Sequence, residues 1–229
     1  ILVRILSHVE RPADVRSFCR TSQDTRALAA DPLLSSEWLA IHRPQNALLL
    51  AANNAGGAAA MLYLLKVSSA SGYPVNVNCV YTRPGCIAGY PGDTPLHIAA
   101  EEANVEAVQM LLQHGAQCKV RNSSGLTPLY TACCSRDKAA ARAEIVQVLL
   151  EADCSVIDVQ RKSGNTPLVH AGLNDLPECC EVLLRAGSKA LTIPQSHYKE
   201  STPLHKLGYF SHRVRSVLQH YASKLPLAY

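Results

Sequence analysis

Two histidines, His97 and His205, each close a Thr-Pro-Leu-His tetrapeptide, and nine cysteines are scattered through the 229 residues. Imidazoles and thiols are the side chains best suited to bind metal, move protons or act as nucleophiles near neutral pH. Their spacing here supplies no partners for that work. The cysteines fall singly or as adjacent pairs, Cys133-Cys134 and Cys179-Cys180. No CxxC pair has zinc-finger spacing, and an odd total at irregular intervals is a poor disulfide framework. Cys79 and Cys86 are the only pair spaced to meet, and both are read as free thiols. No glycine-rich phosphate loop, nucleophile elbow, HExxH or paired-carboxylate pattern occurs. The chain reads as a non-enzyme, with no catalytic residue, metal, cofactor or small-molecule ligand expected.

The elements around those histidines carry more information. Thr-Pro-Leu recurs at Thr94, Thr127, Thr166 and Thr202, at intervals of 33, 39 and 36 residues. A threonine can cap a helix with its hydroxyl, and a proline at the first helical position loses nothing by lacking an N–H. Four helix starts at such a period predict a helical repeat array, and an array offers a long surface to a partner rather than a catalytic pocket.

Composition agrees. Hydrophobic residues make up 48% and charged residues 17%, enough apolar material for a core and too little charge for a disordered chain. Aromatics are 5%, with one Trp and two Phe, which suits small helices stacked closely. A net charge of +4 and a pI near 8.6, with the basic residues scattered, argue against nucleic acid as a partner. No apolar run of 18 residues is present, so no membrane partner is expected. The thiols suggest a reducing, cytoplasmic or nuclear, location. The chain begins at Ile1 without Met and reads as a fragment.

The second repeat is the most regular. After Thr94, small Ala99 and Ala100 allow close packing; Val108, Leu111 and Leu112 form the apolar stripe of a second helix, which Gly115 ends. In the third, Thr127 to Cys134 is the first helix and Ile145 to Leu150 lie on the second, with extra length at Ser135 to Arg142. The fourth runs from Thr166 to Gly172 and then Cys179 to Leu184, the two cysteines standing in as small buried apolar side chains. The fifth carries Val214, Val217 and Leu218 on a polar helix and reads as a terminal cap. A degenerate first repeat spans Asn46 to Leu65, with Val75 to Asn78 as a hairpin strand and Cys79 to Pro91 as an inserted loop.

These motifs resemble the ankyrin repeat over about residues 45–229. The resemblance implies an all-α fold: a solenoid of helix-turn-helix units with short β-hairpin fingers. It implies that His97 and His205 are structural, tying a helix start to neighbouring backbone. Tyr130 and Val169 depart from the family's His, and Glu200 departs from the Gly seen at Gly92, Gly125 and Gly164. It also implies partner binding through the fingertips and exposed first-helix positions. In this chain those are Glu101, Glu102, Ser123, Ser124, Leu126, Ser135, Lys162, Ser163, Asn165, Leu173, Asn174, Tyr209 and Phe210. Tyr209 and Phe210 stand out among scarce aromatics; they would either anchor a partner or cover the end of the array.

Residues 1–44 follow another pattern, with Pro12 and Pro32 separating three short amphipathic stretches. Ile5-Leu6, Pro12, Asp14, Val15, Phe18, Cys19-Arg20, Leu28-Ala29, Asp31-Pro32, Leu34 and Trp38 are similar to an F-box motif. That resemblance implies docking on the Skp-type adaptor of a cullin ubiquitin ligase through Leu2, Ile5, Leu6, Val15 and Phe18. The alternative is a helical cap on the first repeat. Two units are therefore expected, 1–44 F-box-like and 45–229 ankyrin repeats. The expected function is a substrate adaptor for ubiquitination, or alternatively a scaffold without a ligase link.

Overall fold

The computed structural model describes residues 44–53, 61–62, 64–65, 75–80, 90–161, 164–190 and 208–223. The elements are α1 (Pro44–Asn53), α2 (Pro95–Glu101), α3 (Val105–Gln113), α4 (Pro128–Ala132), α5 (Ala139–Ala152), a 3-10 turn (Cys154–Val156), α6 (Pro167–Leu173), α7 (Pro177–Arg185) and α8 (His212–Ala222). Met61, Leu62, Leu64 and Leu65 are helical as well. The adaptor-docking residues Leu2, Ile5, Leu6, Val15 and Phe18 lie outside the described residues, as do Lys162, Ser163, Glu200, His205 and Cys86.

Three helix starts are built alike. Thr94, Thr127 and Thr166 hold extended backbone, and each hydroxyl accepts from the N–H three residues on, with proline next in the chain. The ends are alike too. Gly115 has φ +84°, and its N–H and that of Ala116 donate to the Leu112 and Leu111 carbonyls at 3.0 and 2.9 Å. This double bond pattern satisfies carbonyls that the helix leaves open. Gly187 and Ser188 repeat it on α7 with Leu184 and Leu183.

The helices stack in two layers. First helices pack in the order α1, α2, α4, α6, and second helices in the order α3, α5, α7, α8. Leucine, alanine and valine side chains between the layers form one continuous core, including Leu96, Ala99, Val108, Leu111, Leu129, Ile145, Leu149, Leu168 and Leu183. Cys133, Cys179 and Cys180 belong to it. Alanines facing a first helix let the neighbour approach closely, so the stack is tight without large rings.

The structure sharpens three boundaries. The first helix of the third repeat ends at Ala132 rather than Cys134, whose thiol donates to the Tyr130 carbonyl at 3.4 Å. The extra length at Ser135 to Arg142 is divided between a longer loop and a 14-residue α5, against 9 residues in α3. The fingers, including Val75 to Asn78, form no β-ladder among the described residues. The three later fingers each close as a single turn around a glycine at positive φ, Gly92, Gly125 or Gly164. The arms are too short for a second pair of ladder bonds.

Candidate partner-binding surface

The junction between the second and third repeats closes all its polar groups through side chains. His97 Nε2 lies 2.9 Å from the Leu126 carbonyl, which can only accept, so Nε2 carries the proton. Nδ1 then accepts from the Thr94 N–H at 3.2 Å. Burial holds the imidazole below its ordinary pKa, only partly offset by the Leu126 carbonyl and Asp93. One finger turn away, Asn122 Oδ1 accepts from the Ser124 and Leu126 N–H groups, each at 3.0 Å, and its amide donates to Asp93 at 2.7 Å. His97 is therefore a tie between repeats, as expected.

The following junction is built differently. Tyr130 holds the register position of His97, and Arg161 that of Asn122. The His170 ring, from α6, lies 4.7 Å from the Tyr130 ring, and the Arg161 guanidinium lies 5.9 Å from the Tyr130 ring centre. Burial pushes the Tyr130 phenol up, with Arg161 pulling it partly back. His170 is pushed down to about 4, chiefly by burial and then by the Arg161 charge.

Arg142, in the run of extra length that begins at Ser135, is 1% exposed. It donates to the Asp137 carbonyl at 2.8 Å, to Ala132 at 3.1 Å, to Ala100 at 3.4 Å and to Glu101 at 2.8 Å. One cation thus caps the C-terminal ends of α2 and α4, where helix dipoles favour positive charge. Nothing in an Ala-rich sequence run marks such a role.

The expected contact residues divide by exposure. Ser123, Leu173 and Tyr209 are exposed, Tyr209 at 82%. Glu101, Glu102, Ser124, Ser135, Asn165 and Asn174 are half-buried. Burial raises the Glu101 pKa, with Asp93 and Glu102 adding to it and Arg142 opposing. Asn174 is partly committed, donating to the Cys133 carbonyl at 2.9 Å across repeats. Two expectations need correction. Leu126 is 4% exposed because its backbone closes the finger and carries the His97 bond. Phe210 is also 4% exposed, its ring pressed against Gly172, where an added Cβ would come within 2.9 Å. Phe210 packs against α6, the last first helix among the described residues; Tyr209 beside it points to solvent.

Five of the thiols are held protonated by burial. Burial pushes Cys79 and Cys134 up to about 11 and Cys179 up to about 12, and raises Cys133 and Cys180 as well. No group of three potential metal ligands is found among the described residues. On the opposite, second-helix layer a groove of about 250 Å³ lies between α5 and α7, with Leu150, Cys154 and Val182 on its walls.

The family model for ankyrin repeats (3 copies) matches residues 48–158. These residues form ankyrin repeats. The fourth unit, α6 and α7, repeats the cap, glycine turn and helix end of the matched copies beyond that range. Ankyrin repeats mediate protein–protein interaction. The human transient receptor potential cation channel subfamily A member 1 is 33% identical over 98 residues, 43% of this chain and 8% of that protein. The rice probable E3 ubiquitin-protein ligase XBOS33 is 37% identical over 92 residues, 40% of this chain and 17% of that protein. The human ankyrin repeat and SOCS box protein 11 is 36% identical over 90 residues, 34% of this chain and 26% of that protein. The chain thus spans about a quarter or less of these relatives. No helix among the described residues is long and apolar enough to cross a membrane.

Proposed function

We propose that this chain is a substrate-recognition adaptor. Its ankyrin surface would hold a target protein, and residues 1–44 would bind a Skp-type adaptor of a cullin-type ubiquitin ligase. The observation that carries the recognition half is the exposure of Leu173 and Tyr209 on either side of the buried Gly172–Phe210 contact. Two large side chains left in water beside a packed contact are well placed to be covered by a partner. The ligase half is supported by the F-box-like residues Ile5 to Trp38. It is also supported by relatives that are an E3 ubiquitin-protein ligase and a SOCS box protein.

A scaffold role without ubiquitin transfer is the second reading, and the likeness to a cation channel subunit favours it. Mixing the full chain with purified Skp-type adaptor separates the two. A stable complex lost on Leu6→Asp and Phe18→Ala supports the ligase reading. Absence of a complex with folded protein leaves the scaffold.

A further inference from the structure

Within one molecule, two neighbouring repeat junctions solve the same problem in opposite ways. Between the second and third repeats, His97 and Asn122 spend every polar atom on the framework. Between the third and fourth, Tyr130 and Arg161 occupy the same register, and the Tyr130 hydroxyl and Arg161 Nε bond no group of the framework among the described residues. Tyr130 Oη, Arg161 Nε and His170 Nδ1 are all buried, and all three lack a hydrogen-bond partner. Tyr130 itself is 1% exposed. Three orphan polar atoms around one pair of rings are a cost that stability alone does not explain, since leaving a buried donor unpaired is unfavourable.

The chemistry of the three atoms selects what could satisfy them. Arg161 Nε–H can only donate; the phenol and a neutral imidazole Nδ1–H can each donate as well. No described carboxylate lies within ion-pair distance of Arg161. A group that only accepts, carries negative charge and matches a planar guanidinium is a carboxylate. Arg161 and His170 are half-exposed and border the first-helix surface, so the guanidinium can swing off the Tyr130 ring to meet it.

Resting on the reading of this surface as a protein-binding one, we propose that Tyr130, Arg161 and His170 receive an aspartate or glutamate side chain of the partner. Among the described junctions, this is the one where the tying residues of the repeat give way to unpartnered polar atoms.

The test selects peptides from a random 12-residue phage library on the full chain, then measures synthetic peptides by fluorescence anisotropy. Selected peptides are expected to share an acidic residue, and its amide counterpart to bind about tenfold or more weakly. Arg161→Asn, which restores the turn-closing residue, and Tyr130→Phe are each expected to weaken binding by a similar factor. Both should leave the melting temperature unchanged or higher, because the Tyr130 hydroxyl and Arg161 Nε are left unpaired in the fold. Peptides that bind equally well with the amide, or equally well to both variants, overturn the acidic site while leaving partner recognition intact. Variants that melt lower overturn it too, because the cluster would then be structural. If no peptide is enriched over a library selected on heat-unfolded chain, the recognition reading fails and this proposal with it.

Discussion

Arg142 shows how one residue can carry a repeat boundary. Three carbonyls from two helix ends and one from Asp137 in the following loop converge on its guanidinium, and it is 1% exposed. Arg142→Met keeps the aliphatic stem but leaves those carbonyls unpaired. We expect it to lower stability by about 3 kcal/mol in urea denaturation, the range for hydrogen bonds to a charged group. Lysine at this position should recover only part of that, lacking the planar fork. His170 gives a second expectation at this scale. Its folded pKa of about 4 lies below the ordinary histidine value, so only the unfolded chain takes up a proton in between. Its contribution is complete above about pH 6.5 and is lost as pH falls toward 4. The buried imidazole of His97 acts in the same direction. Urea midpoints measured from pH 7 to 4 should therefore fall, and the slope should flatten in His170→Gln.

At the scale of the element, helix ends set the register of the stack. Gly115 has φ +84° and open space where a Cβ would sit, so Gly115→Ala isolates backbone strain. A cost of about 1 kcal/mol is expected from the left-handed conformation alone. Gly172 is the opposite case. Its backbone is unstrained, but a Cβ would press into the Phe210 ring at 2.9 Å. Gly172→Ala should loosen the last described helix, seen as faster amide exchange in α8, and Phe210→Leu should suppress that effect in the double variant. The starts of α2, α4 and α6, and the ends of α3 and α7, were legible from Thr-Pro-Leu and from glycine, because local residue types alone fix those geometries. The end of α4 and the start of α5 were not. That α5 starts at Lys138 in a left-handed conformation, with no side-chain cap, depends on Arg142 holding two helices together. Tertiary bonds of that kind leave no local pattern.

Taken as a whole, the molecule is a set of units, each resting on its neighbours, so stability should be distributed along the stack rather than all or none. The expected positions of partner contact came from family likeness and were only partly legible. Tyr209 and Phe210 are adjacent in sequence, yet one points to solvent and the other seals the core, because Gly172 offers room to only one ring. The Tyr130, Arg161 and His170 cluster was also hidden, since it joins a first helix, a finger and the next first helix. A partner's footprint tests the recognition surface most directly. The partner is recovered by affinity purification with the full chain, and hydrogen exchange of the chain is compared with and without it. Protection is expected along the first helices and fingers, at residues 101–102, 123–126, 164–165, 173–174 and 209. Protection confined to the groove between α5 and α7, with those positions unchanged, would contradict it.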